Sequence, residues 1–174
     1  GTNVSAEEIT NYDFTNFFKV THDDIHDMFV NHNILETVKP FPGACEALRE
    51  LKALGYKIHI ITARAWHPQA VAITMDWLDK HGGVYDSVSV SYGGKQEKSE
   101  VYKTVASEFA YIVDDGMHNI LDAVQSEIVN EVIIVRAPWN ESFGEEFHWA
   151  DRMVDSLAEF TEKLKEGLTK NGSN

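Results

Sequence analysis

Thr62, Lys98 and the adjacent pair Asp114-Asp115 are the residues whose types and spacing could do chemistry. Two neighbouring carboxylates repel. A divalent cation resolves that conflict, and Mg²⁺ favours one or two carboxylates together with water and phosphate oxygens. The plainer alternative has one Asp capping the next helix and the other solvated. Thr62 opens the run Thr62-Ala63-Arg64. Its hydroxyl and the following backbone amides could hold a phosphoryl oxygen, although a helix N-cap is the commoner use of such a Thr. Arg64 either clamps an anion or pairs on the surface. Lys98 stands at the start of a helix, where a cation works against the macrodipole. That cost is easier to understand if Lys98 faces an anion or the Asp pair. Lys103, one turn on, competes for the role, and a solvated Lys in the run Lys95-Gln96-Glu97-Lys98 is the plain alternative. Taken together, the set suggests a phosphate-and-metal site.

The elements that must position these residues follow from the pattern around them. Tyr111-Ile112-Val113-Asp114-Asp115-Gly116 reads as a buried parallel strand ending in two carboxylates and a turn. Residues 58–62 are apolar and β-branched, which predicts a strand buried on both faces. Further strands are expected at 86–91, nearer the sheet edge, and at 131–135. Helices are expected at 44–54 with Gly55 as its cap, and at 68–81, 98–108, 117–126 and 156–164. The alternation predicts a parallel sheet with right-handed crossovers. Ligands on such sheets lie beyond the carboxyl ends of the strands, where Thr62, Arg64, Asp114 and Asp115 all fall. Residues 136–150 read as irregular and contain Pro138, Trp139 and Asn140.

The N-terminal part differs. Ser5 and Glu8 form a capping-box signature for a helix over 5–10. Phe14, Phe17, Phe18, Ile25, Met28 and Phe29 recur at helical spacing and predict two short helices joined near Thr21-His22-Asp23-Asp24. Core packing is the expected use of Phe14, Phe17 and Phe18, with stacking on a base as the sharper alternative. The expected division is a helical cap over 1–37, an α/β core over 38–166 entered through the proline-stiffened stretch 38–43, and a disordered tail over 167–174.

Composition bounds the partners. The chain has 174 residues, 43% hydrophobic and 25% charged, with a net charge of −13. Nucleic-acid polymers and anionic membranes are poor partners for such a surface. Phosphate handling would need a local cation or helix N-termini. One cysteine, Cys45, excludes an internal disulfide and a cysteine-based zinc site. No apolar run approaches the length of about 18 residues that spans a bilayer, and no leader-like start is seen, so a cytoplasmic location is expected. His22, His26 and His32 with Asp23, Asp24 and Asp27 read as a polar face before a zinc site. His59 reads as a satisfied core histidine. Gly93-Gly94-Lys95 lacks the spacing of a Walker loop.

The motifs resemble the haloacid dehalogenase superfamily, and within it the 5'(3')-deoxyribonucleotidase-like branch. Ile60-Ile61-Thr62-Ala63-Arg64 resembles the second family motif. Lys98-Ser99-Glu100-Val101 resembles the third, and Ile112-Val113-Asp114-Asp115 the fourth. Ala137-Pro138-Trp139-Asn140 is also similar to this branch, and residues 4–14 resemble its small helical cap. The resemblance implies a Rossmann-like (HAD-like) parallel sheet flanked by helices. It implies Mg²⁺-dependent hydrolysis of a small phosphomonoester, such as a nucleoside monophosphate, through an aspartyl-phosphate. Thr62, with Ala63 and Arg64, would bind the phosphoryl group. Lys98 would steady its charge. Asp114 would hold Mg²⁺, with Asp115 assisting.

One departure is large. The first family motif is an apolar strand ending Asp-x-Asp, which supplies nucleophile and general acid. Asn11-Tyr12-Asp13-Phe14-Thr15 has no apolar strand before it and is rejected as that motif. The expectation is a sheet whose central strand is missing, with catalysis impaired and two strand edges facing a gap. Either the two strands close on each other, or another segment fills the slot, or the natural protein is longer, and an exposed sheet centre would favour self-association. A non-catalytic relative that keeps the metal and phosphate site as a binding or regulatory module is the alternative. An unrelated doubly wound domain is a third reading, and it leaves Thr62, Lys98 and the Pro138-Trp139-Asn140 loop unexplained.

Overall fold

The structure, a computed structural model, describes residues 4–11, 13, 15, 18–91, 98–106, 110–127 and 131–171. Five strands are described: β1 (His59–Thr62), β2 (Ser87–Val90), β3 (Tyr111–Asp114), β4 (Glu131–Val135) and β5 (Met153–Val154). The helices are α1 (His22–Asn31), α2 (Ile34–Thr37), α3 (Ala44–Ala53), α4 (Ala70–Lys80), α5 (Lys98–Val105), α6 (Met117–Gln125), α7 (Phe143–Glu146) and α8 (Leu157–Asn171). The expected alternation of helix and parallel strand is therefore present.

Local chemistry explains the boundaries. α1 starts at Thr21, whose hydroxyl accepts from the Asp24 amide at 3.1 Å while Asp24 accepts from the Thr21 amide at 2.9 Å. That reciprocal pair satisfies two amides that the first helical turn leaves without partners. α3 begins after Gly43 at φ 76° and is followed by Gly55 at φ 93°. Both angles lie in the left-handed region, which glycine enters without a Cβ penalty. α3 turns Cys45, Ala47 and Leu51 inward.

The sheet is split. β1 pairs in parallel with β2, and β3, β4 and β5 form a second parallel set. Ile61 and Ile112 pack against one buried cluster, built on Tyr102, Met117, Ile120, Ala123, Val132, Ile134 and Met153. Ile60, Tyr111 and Val113 pack against the other, built on Leu51, Ile58, Val154 and Phe160. Successive residues of a strand face opposite ways. β1 and β3 thus belong to one layer with a core on each face, and both flank the split. The chain runs from β1 to β2 on one side, then crosses through α5 to β3 and on to β4. The split is therefore the topological switch point, where such sheets open a ligand crevice.

The split also corrects one expectation. Residues 59–62, expected to be fully buried, are only half-buried, although a core lies on each face of the strand. β4, flanked by β3 and β5, does bury Val132 and Ile134. A strand paired along one edge among the described residues loses the cover that a second neighbour gives.

Other differences are local. The expected helix over 5–10 is a 3-10 turn, Ala6–Glu8. α7 and β5 lie in and just after the stretch read as irregular, both too short for a periodic signal. α8 continues to Asn171, so residues 167–171, expected in a tail, are helical. α1 has no buried residue, and Phe18 is 40% exposed rather than packed inside. α1 meets the core through Trp66, whose ring lies edge-on to His26 at 5.4 Å and Phe29 at 5.9 Å. Phe14, Phe17 and Gly93-Gly94-Lys95 lie outside the described residues. No helix among the described residues is long and apolar enough to cross a membrane.

Candidate functional site

Asp114 is the last residue of β3, and both of its carboxylate oxygens are engaged. Oδ2 accepts from Lys98 Nζ at 2.7 Å. Oδ1 accepts from the Gly116 amide at 2.8 Å and from Asn119 Nδ2 at 2.9 Å. The ion pair is nearly enclosed, with side chains 10% and 15% exposed. Lys103 instead pairs with Glu100 at 2.5 Å on the surface. Lys98 is thus the lysine that reaches the Asp pair.

Lys98 can stand at a helix start because another carboxylate offsets it. The Ser99 amide, near the positive end of α5, donates to Asp122 Oδ2 of α6 at 2.9 Å. An anion there complements the macrodipole that the lysine opposes. One turn further, the buried Tyr102 phenol is pushed well above its usual range by burial, with Asp114 and Asp122 adding to the effect.

Asp115 differs from its neighbour. Its carboxylate accepts no side-chain hydrogen bond among the described residues. Burial, and then the Asp114 charge, raise its pKa above the ordinary carboxylate range. A charge held this way gains most from a cation. Among the described residues, no group of three or more His, Cys, Asp or Glu side chains gathers around a point. A bound ion would therefore keep oxygens from water or substrate. That fits Mg²⁺, which sheds its waters reluctantly, and it does not fit an all-protein cage.

Thr62 ends β1 and is half-buried. Its carbonyl accepts from the Ser91 amide at 2.9 Å. It caps no helix, since α4 begins at Ala70 after Gln69. Arg64 is half-buried, and burial lowers its pKa. It makes no ion pair with a carboxylate among the described residues. Ala63 is exposed. Asp13 accepts from the Thr15 amide at 2.9 Å and hydroxyl at 2.6 Å, a local turn rather than a strand end. His59 meets Ser87 Oγ at 2.7 Å, as a satisfied histidine should.

Asn119, Asp122 and Asn140 were not picked out as site residues in the sequence. Asn119 acts across a turn and Asp122 between two helices, so no short motif marks them, while Asn140 stands in the motif Ala137-Pro138-Trp139-Asn140 but bonds a turn distant in sequence. Gly116 is a spacing constraint of the same kind. A Cβ there would lie 2.9 Å from Asn119 Nδ2 and 3.1 Å from Asp114 Oδ1. Gly116→Ala must push one of them away. The expected cost is about 1–3 kcal/mol, read as a lower urea midpoint with an unchanged m-value.

The family model described as "5' nucleotidase, deoxy (Pyrimidine), cytosolic type C protein" matches residues 1–151. The chain belongs to this nucleotidase family. A protein of Chlorobaculum tepidum named "Putative 5'(3')-deoxyribonucleotidase" is 36% identical over 69 residues, which cover 37% of this chain and 34% of that relative. The match thus spans about a third of the relative's length. No solved structure matches. Family membership and the α/β architecture agree with the resemblance read from the three motifs.

Proposed function

We propose that this family member serves the Mg²⁺-dependent hydrolysis of a nucleoside monophosphate. The observation that carries the reading is the contrast between the two aspartates at the switch point. Asp114 is bonded on both oxygens, while Asp115 beside it is half-buried, accepts no side-chain hydrogen bond among the described residues and has its pKa raised by burial. The roles expected of the pair therefore exchange. Asp115 is the principal metal ligand, and Asp114 holds Lys98.

The Thr62 hydroxyl and the Ala63 and Arg64 amides bind the phosphoryl oxygens beyond the end of β1. Arg64 adds a charge that no described carboxylate takes up. Lys98, fixed by Asp114, presents its remaining N–H bonds to the anion. Asp115 would hold Mg²⁺, which would supply charge neutralisation at the phosphoryl oxygens. By the resemblance, the attacking carboxylate would be the first Asp of an apolar Asp-x-Asp strand seated between β1 and β3. Its oxygen would bond to phosphorus as the P–O bond to the nucleoside breaks, and the second Asp would give its proton to the leaving oxygen. Water then cleaves the acyl phosphate. α1 and α2 form the cap over the core that begins at residue 38.

A second reading is a module that binds phosphate and metal without turnover. The same split favours it, because no third carboxylate joins Asp114 and Asp115 among the described residues. Phosphate release from a deoxynucleoside monophosphate with Mg²⁺ separates the two. The chain is assayed alone and with a synthetic apolar peptide ending Asp-x-Asp. Release that needs the peptide and its first Asp supports the enzyme. Nucleotide binding with no release in either mixture leaves the binding module. No binding at all overturns both.

A further inference from the structure

Asn140 is wholly buried, and its side-chain amide is bonded through both N–H groups and through its oxygen. Its Nδ2 donates to the Asp115 carbonyl at 2.9 Å and to the Val135 carbonyl at 2.8 Å. Its Oδ1 accepts from the Ala137 amide at 2.9 Å. Its own amide donates to the Ala137 carbonyl at 3.0 Å. The side chain therefore ties three backbone segments together: the turn after β3, the last residue of β4 and the loop in which it lies.

The position matters. The β3–β4 ladder ends at the pair Asp114 and Ile134. Asp115 is the first residue beyond that ladder, so no β-pairing holds its peptide. Asn140 supplies a constraint from the loop that follows β4. The Gly116 amide, the other end of the same peptide unit, donates to Asp114 Oδ1. The Asp115–Gly116 peptide is thus held at both its C=O and its N–H, while no described side chain bonds the Asp115 carboxylate. A buried amide bonded on both N–H groups and on its oxygen is rigid, and breaking part of it leaves two carbonyls without donors.

We propose that Asn140 is the positioning residue for Asp115, fixing the peptide that carries the free carboxylate so that it can take a divalent cation. The inference rests on the reading of Asp115 as a metal ligand. It assigns a role to the one sequence motif, Ala137-Pro138-Trp139-Asn140, that the proposed reaction does not use.

Two measurements on the full chain test it, one of them free of metal. The variants are Asn140→Ala, Asn140→Asp, and Val132→Ala as a control that removes buried volume from the core. Asn140→Asp keeps the acceptor for Ala137 and loses both donors. In the metal-free protein, hydrogen exchange at the Gly116 amide should speed up at least tenfold in both Asn140 variants. In the control, exchange there should rise no more than at other amides. In Mn²⁺ titration, both Asn140 variants should bind about 10–100-fold more weakly, well below their melting temperatures, while the control binds as the native chain does. Native exchange and native Mn²⁺ affinity in the Asn140 variants would overturn the inference. An equal loss in Val132→Ala would overturn it too, by showing general loosening. If the native chain and Asp115→Asn bind Mn²⁺ alike, the metal reading fails instead. Exchange at Gly116 then still reports whether Asn140 holds the turn, and unchanged exchange overturns that as well.

Discussion

Lys98→Met should destabilise the chain by about 3–5 kcal/mol, more than any other single change at the site. Removing one partner of an enclosed ion pair leaves the other charge without its counter-ion. Asp114 would keep Gly116 and Asn119 as donors, but neither carries charge. The size of the loss depends on enclosure: exposed pairs contribute about 1 kcal/mol or less, and this pair is 10% and 15% exposed. Asp114→Asn should be damaging in turn, because it strands the ammonium. The double variant should lose much less than the sum, since an apolar and an amide side chain need no counter-ion. Urea melts of the four proteins close the cycle. Additive losses would mean that the pair is screened by solvent and does not organise the turn.

Asp115→Asn should have the opposite effect on stability. Its carboxyl pKa lies above the ordinary value in the folded chain. Between about pH 4 and that raised value, the folded state holds a proton that the unfolded state has released. Stability contributed by this group therefore falls as pH rises through the window, and the deficit persists above it. An uncharged Asn removes the deficit. The variant should gain about 1 kcal/mol at pH 7, a melting point about 2–4 °C higher for a chain of this size. The gain should vanish at acid pH, where Asp115 is neutral in both states. Mg²⁺ should raise the melting point of the native chain and leave the variant unmoved. A variant that is less stable at pH 7, or still stabilised by Mg²⁺, would remove Asp115 from the metal site. The two predictions have opposite signs although the residues are adjacent. Asp114 is compensated by a cation on the chain, whereas on the proposed reading Asp115 is compensated by one that binds.

Elements carrying their own signals were legible without coordinates. The β-branched run before Thr62, the apolar run before Asp114, and the glycine at 55 each specify local geometry through sterics and solvent exclusion. So did the order of hydroxyl, ammonium and carboxylates along the chain, which placed them at strand and helix ends. The short elements α7 and β5 lacked a period and were not seen.

What only the tertiary structure decided is which group bonds which. Adjacent aspartates are indistinguishable as letters. One becomes the anchor of Lys98, and the other accepts no side-chain hydrogen bond among the described residues, because Asn119 and the Gly116 amide turn toward Asp114. Asn140 reaches Asp115 from 25 residues away, and Asp122 reaches Ser99 from 23. Hydrogen bonds of that reach leave no periodic trace, because they depend on how helices and strand ends pack. The split between β1 and β3 is likewise a property of pairing. A strand's sequence shows that it can be buried, but its neighbours decide whether it is.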